Sequence, residues 1–286
     1  MKLTTDFLSS RPDLTNEFTS SSLLDRELFF TALLDLASTD LALAHSVFKT
    51  SSVRTVLFQT NSILSKNSIG SFSTYKPFDT VELQDNKLYG KKHWVTNSFN
   101  ADVVIAQVKT DQNIMLVKTV LPKIKVQFLD APGMMDTDTC DLVFEGEAAT
   151  PLFLKTDPKY LVVSKHNILA FIANYIGATK GLLESLTNVN DLMAEYKNLR
   201  TAFTNCILSS DESVTDDYWH KRNALYLQAK KLLVKTLQYI LEFSAGNYYN
   251  LNSVQSKHFF NCVIYSGHNG SIQNNYKTLY TEPQDY

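Results

Sequence analysis

The chain has 286 residues, 44% of them hydrophobic and 12% aromatic, and a formal net charge of −2. That is enough apolar material for one large domain or two modest ones, and it excludes global disorder. No basic stripe is present to release counterions from a polyanion, so nucleic acid is not the expected partner, and no run of about 18 apolar residues is present to span a membrane.

The opening residues, Met1-Lys2-Leu3-Thr4-Thr5-Asp6, lack the apolar core of a signal peptide. Cys140, Cys206 and Cys262 lie far apart without metal-ligand spacing, which reads as three reduced thiols in a cytoplasmic protein with no metal site. Residues 11–60 read as helical. Leu24, Leu28, Leu33, Leu36, Leu41 and Ala44 recur near helical spacing, with one helix over Asp25–Leu36 and an N-cap for a second in Ser38-Thr39-Asp40. His45 is a lone histidine on that second helix and reads as a packed core or rim residue.

Residues 61–77 are rich in Ser, Asn, Thr, Gly and Pro, which is loop chemistry. Short strands follow at Val81–Leu83 and Lys87–Tyr89, joined by an Asp85-Asn86 hairpin turn. Further strands are predicted at Trp94–Asn97, Val103–Lys109, Ile114–Val120, Ile124–Phe128 and Cys140–Glu145, broken by Pro122 and Ala131-Pro132-Gly133. This spacing argues for an antiparallel β-barrel or sandwich. From Lys159 the pattern is helical again, with helices over Lys165–Leu186, Asn190–Leu208, Asp216–Ser244 and Val254–Tyr265, enough for a bundle. The expected class is α+β: an N-terminal helical segment over 1–60, a central β-domain over 61–155 and a C-terminal helical bundle over 156–286.

One stretch organises this reading: Leu88-Tyr89-Gly90-Lys91-Lys92-His93-Trp94-Val95-Thr96-Asn97, then Ala101-Asp102 and the apolar Val103-Val104-Ile105-Ala106. It resembles the central β-domain of the acyl-CoA dehydrogenase superfamily, whose segment runs Leu-x-Gly-x-Lys-x-Trp-Ile-Thr-Asn, then Ala-Asp and an apolar strand. Gly133–Glu145 is similar to the segment that closes that β-domain, and Gly177-Ala178-Thr179-Lys180-Gly181 to the helix that opens the bundle. The order helices, β-domain, bundle is the superfamily's order. The resemblance implies a flavin cofactor, FAD with FMN left open because no phosphate-cradling Gly loop is present to read. It places Trp94 beside the flavin ring and the Thr96 hydroxyl near its reactive nitrogen, with Asn97 and Ser71 completing the cofactor-binding set. A large flat apolar neighbour and a placed donor suit a flavin.

The chain departs from the family in three places. Where the dehydrogenases carry Thr-Glu-Pro-Gly-x-Gly-Ser-Asp, this chain has Ser65-Lys66-Asn67-Ser68-Ile69-Gly70-Ser71-Phe72-Ser73, and only Gly70-Ser71 survives. The late catalytic Glu is missing from Ile264-Tyr265-Ser266-Gly267-His268, which leaves Glu184 on the first bundle helix as the candidate base. The chain is also shorter than full-length members. Its C-terminal end looks like the flavin-dependent monooxygenase branch of the same fold, with His268 as the candidate proton-handling residue. The implied functions are a dehydrogenase acting on an acyl-CoA or related small molecule, a flavin-dependent monooxygenase, or a flavin-free binding or assembly subunit. The superfamily's habit of completing the flavin site from a neighbouring subunit implies a homo-oligomer, a dimer or tetramer.

Overall fold

The computed structural model describes residues 3–15, 23–111, 113–127, 135–209, 216–243 and 254–266. Three helices open the chain: α1 (Thr5–Ser9), α2 (Leu23–Thr39) and α3 (Leu41–Phe58). Asp40 separates the last two. Its carboxylate accepts the Leu43 amide at 2.9 Å, which caps α3 and so starts a new helix rather than continuing the old one. Every residue from Leu41 to Leu57 is buried, so α3 has no solvent face and therefore no amphipathic stripe.

Seven strands follow: β1 (Gly70–Ser73), β2 (Glu82–Gln84), β3 (Lys87–Val95), β4 (Val103–Lys109), β5 (Ile114–Thr119), β6 (Ile124–Gln127) and β7 (Cys140–Leu154). The first part of β7 pairs with β3 and β6, and its last part with β5, so one long bent strand joins two sheets. Their inner faces meet through Leu88 of β3, Val104, Ala106 and Val108 of β4, Val117 of β5, and Leu142 and Phe144 of β7. The opposite face of the β1-β4-β5-β7 sheet sends Phe72, Ile105, Leu116 and Phe153 onto Val53, Val56 and Leu57 of α3 and Val163 of the following helix. β4 is thus covered on both faces, which explains its nearly unbroken apolar sequence.

Several sequence expectations change. Gly70-Ser71-Phe72-Ser73 is a strand rather than loop, and it pairs with β4 in parallel, so the sheet is mixed and not purely antiparallel. Asp85 and Asn86 make the expected two-residue turn with positive φ at both positions, the hairpin geometry that matches strand twist. Lys87–Tyr89 and Trp94 belong to one continuous β3, which passes through Gly90 at φ +100°, where a Cβ would stand 2.3 Å from the Thr80 carbonyl. β7 runs well past Glu145.

Four helices close the described chain: α4 (Pro158–Leu183), α5 (Asn190–Leu208), α6 (Asp216–Phe243) and α7 (Val254–Ser266). They share one core with α1–α3, in which Phe29, Leu33 and Phe48 pack with Ile172, Tyr175, Phe203, Tyr226 and Cys262. Gly177 and Gly181 let α4 touch the backbone of α2: an added Cβ would meet Leu34 O at 2.2 Å and Ser38 O at 2.0 Å. No helix among the described residues is long and apolar enough to cross a membrane.

Candidate functional site

β3 ends in a bulge. Lys92 pairs with Leu142 and Val95 with Cys140, so His93 and Trp94 crowd a gap that holds one residue on β7. Trp94 sits at φ +50°, a left-handed conformation that costs a bulky residue roughly 1–2 kcal/mol. It is held from two sides. On β7, Asp141 accepts the Trp94 amide at 3.0 Å and meets His93 Nδ1 at 2.9 Å and Lys91 Nζ at 2.7 Å. On the loop after β1, Asp79 accepts the His93 amide at 3.0 Å, and the Lys76 ammonium donates to the His93 carbonyl. The result turns the indole outward, 57% exposed, with its edge and that of His93 against Phe78.

The charges that hold the bulge are themselves perturbed. Burial alone would raise the Asp141 carboxyl, but the Lys91 ammonium, the Trp94 amide and His93 together hold it below the ordinary carboxylate range. Asp79 and Lys92 form an ion pair at 2.7 Å with both side chains fully buried, and Lys92 also donates to the Gln107 carbonyl at 2.7 Å. Burial lowers the Lys92 ammonium to about 8 against the pull of Asp79.

Behind the bulge the chain dives into a polar knot between β1, α3 and the start of β7. Ser71 donates its hydroxyl to the Thr96 carbonyl at 2.6 Å. Asn97, at φ +61°, directs its side-chain amide to the carbonyls of Ser46 and Gly70, each at 2.9 Å. The Thr50 hydroxyl also meets Gly70, donating to its carbonyl at 3.1 Å. Gly70 is small for a reason here, since a Cβ would stand 2.7 Å from Val53. The Thr96 hydroxyl is less committed: its partner is Thr139 Oγ1 at 3.4 Å.

Of the residues singled out by sequence, Ser71, Thr96 and Asn97 therefore meet in one network, with Trp94 on the rim above it. Glu184 stands apart at the C-terminal end of α4, its side chain 60% exposed, 4.0 Å from Lys180, which bonds Asp35 of α2. His268 lies outside the described residues. His45 is buried, edge-on to Phe48 and Tyr265. Sequence reading missed Lys76, Asp79, Lys92 and Asp141. A signal existed for Lys92 alone: it is four residues after Leu88 on a strand, and even spacing puts both on the inner face. Two open clefts, of about 530 Å³ beside Lys235 and about 550 Å³ beside Lys118, include no residue of this network.

No protein-family model and no curated protein sequence matches the chain. Solved structures do match its fold. Glutaryl-coenzyme A dehydrogenase in complex with glutaryl-CoA superposes with a TM-score of 0.74 at 14% identity, over 94% of this chain and 86% of that one. The HsaA monooxygenase from M. tuberculosis gives 0.71 at 12%, over 98% and 91%. The FAD complex of PigA gives 0.69 at 14%, over 97% and 90%. At this level of identity the likeness establishes a shared architecture, the acyl-CoA dehydrogenase fold, and leaves activity to the residues.

Proposed function

We propose that the chain is a flavin-dependent oxidoreductase built on this fold, with the flavin, FAD or FMN, seated against Trp94. The observation that carries the reading is the indole itself: a large apolar ring turned to solvent at a left-handed φ, braced by Asp141, Asp79 and Lys76. Strain of this kind persists only where the surroundings over-determine it, and it recurs at ligand sites. The residues fit the group. Trp94 offers an exposed aromatic face, and Thr96 a hydroxyl whose one partner stands at the long limit of hydrogen bonding. Ser71 and Asn97 serve differently: their donors go to protein carbonyls, so they fix Thr96 in place rather than touch the ring.

A bound flavin would supply two-electron redox chemistry. The chain's own part is to bind the ring, exclude water and handle a proton. His93, which like Trp94 packs against Phe78 and is oriented by Asp141 at Nδ1, is the residue we assign to proton handling. Dehydrogenation of an acyl thioester and oxygenation of a small organic molecule are the two chemistries this reading leaves open; Glu184 stands apart from the seat, so the first needs another base, and His268 is the proton handler the second would use. A homo-oligomer that completes the seat accords with the same reading. One observation favours a flavin-free binding or assembly subunit instead: the knot around Asn97 closes on protein atoms.

The test is the visible spectrum of the purified protein between ~350 and ~500 nm, alone and after adding FAD or FMN. A flavin spectrum weakened by Trp94→Ala or Thr96→Ala supports the oxidoreductase. A colourless protein that binds neither flavin refutes it and leaves the assembly subunit.

A further inference from the structure

Lys49 lies on α3, 93% buried by its 7% exposure, and its ammonium has no hydrogen bond and no ion pair among the described residues. What surrounds it is apolar or of like charge. Nζ stands 4.8 Å from the Phe48 ring centroid and 5.6 Å from that of Phe171 on α4. The charge it feels is the Lys76 ammonium, and burial together with that repulsion drops Lys49 to about 7. The carboxylates beyond Lys76 are engaged elsewhere: Asp79 with Lys92, and Asp141 with Lys91 and His93. Two buried hydroxyls on the same two segments also lack partners, Ser46 Oγ one turn earlier on α3 and Ser73 Oγ at the end of β1. Buried donors are almost always satisfied, so two orphaned hydroxyls and an ammonium with no acceptor among the described residues point to an acceptor beyond those residues.

We propose that Lys49 anchors a carboxylate-binding subsite between α3, α4 and the segment that follows β1, and that its ligand is an organic acid with an apolar body. A carboxylate gives Nζ its missing charge partner and has lone pairs to spare for a hydroxyl. The buried Phe48 and Phe171 rings set apolar surface beside Nζ, which suits a hydrocarbon body and not a second anionic group. A phosphate dianion would bring more charge than one ammonium compensates. Calling this acid the substrate rests on the flavin reading, because Lys76 ties the subsite to the Trp94 bulge; the binding itself does not rest on it.

The experiment is calorimetric titration of the full chain with hexanoate and with benzoate, alongside hexanamide and inorganic phosphate, and the same series on Lys49→Met. The flavin spectrum of each protein is recorded separately. The expected result is saturable binding of a carboxylate at millimolar or lower concentration, none of hexanamide or phosphate, and roughly ten- to a hundredfold weaker binding in Lys49→Met. Equal binding of hexanoate and hexanamide, undiminished binding by Lys49→Met, saturation by phosphate alone, or failure of both acids overturns the subsite. Carboxylate binding without flavin sinks the flavin reading only; flavin without carboxylate binding sinks the subsite only. Lys49→Gln, close in size and uncharged, guards against a packing change: loss of binding in both variants assigns the effect to the charge.

Discussion

Replacing Lys49 by Met should make the ligand-free protein more stable, and by an amount that depends on pH. An unpaired ammonium in the interior favours its neutral form, and the fall from 10.5 to about 7 measures the penalty. At ~1.4 kcal/mol per pH unit the penalty is bounded near ~5 kcal/mol. The contacts with Phe48 and Phe171 return ~1–2 kcal/mol, so the net gain from a methionine of similar shape is about 2–4 kcal/mol at neutral pH or below. The sign follows from proton binding. Between about pH 7 and 10.5 the unfolded chain keeps this lysine protonated while the folded chain releases the proton, so wild-type stability rises with pH and the advantage of Lys49→Met shrinks. Below about pH 7 both states are protonated and the full difference remains. Lys92 and Lys76 are also lowered by burial and titrate nearby, so the quantity to follow is the difference between the two proteins in urea unfolding from about pH 6 to about pH 10. A variant less stable than wild type throughout, or a difference that does not change with pH, would show that the ammonium is not held at a penalty and would remove the ground for the subsite.

Three further substitutions probe the frame. Gly177→Ala drives a methyl into the Leu34 carbonyl and Ala37, so α2 and α4 must separate, and thermal or chemical unfolding should show a loss of about 2–4 kcal/mol. Asp79→Asn leaves Lys92 buried beside a neutral amide and should cost about 3–5 kcal/mol by chemical denaturation; a change below about 1 kcal/mol would mean the pair is solvated. Trp94→Gly removes an exposed ring and the left-handed strain together. Stability should stay level or rise by about 1 kcal/mol while flavin absorbance is lost, and a large fall in stability would make Trp94 a structural residue.

The parts of the fold that were legible are those where one local rule acts alone. Asn190–Leu208 has a polar and an apolar face and reads as a helix to the residue. Asp85-Asn86 has no conformation better than the turn it makes. β1 was illegible because Phe72 is its one large apolar residue; Gly70, Ser71 and Ser73 are buried by contact with α3 and β4, which are distant in sequence. Of the candidate site, Trp94, Ser71, Thr96 and Asn97 came from a resemblance, and the structure unites three of them in hydrogen bonds that no spacing could reveal. Asp79, Lys76 and Asp141 were hidden for the opposite reason. Each looks like an ordinary surface charge, and each acquires its role from a bulge that exists only once β3 and β7 pair.

α3 shows why the two orphans on it point to a ligand. A helix buried from Leu41 to Leu57 must satisfy each polar side chain it carries there or bear the desolvation. From Thr50 to Ser52 each hydroxyl is satisfied, and Arg54 is satisfied through its terminal nitrogens. Thr50 bonds Gly70, Ser51 bonds His166 Nε2 at 2.8 Å, Ser52 donates to Asn167 Oδ1 at 2.8 Å, and Arg54 donates to the Lys66 carbonyl at 2.6 Å. Those partners lie on β1, on α4 and on the loop before β1, so this half of the helix ties sheet to bundle. Toward the N-terminus the pattern stops: Ser46 Oγ has no partner, although the Ser46 carbonyl already serves Asn97, and Lys49 Nζ has no hydrogen bond or ion pair among the described residues. The backbone there belongs to the knot under Trp94, while these side chains find no acceptor among the described residues. A division of this kind, with Thr50 to Ser52 satisfied by protein groups and Ser46 and Lys49 left without acceptors among the described residues, is what separates a binding edge from a packing surface.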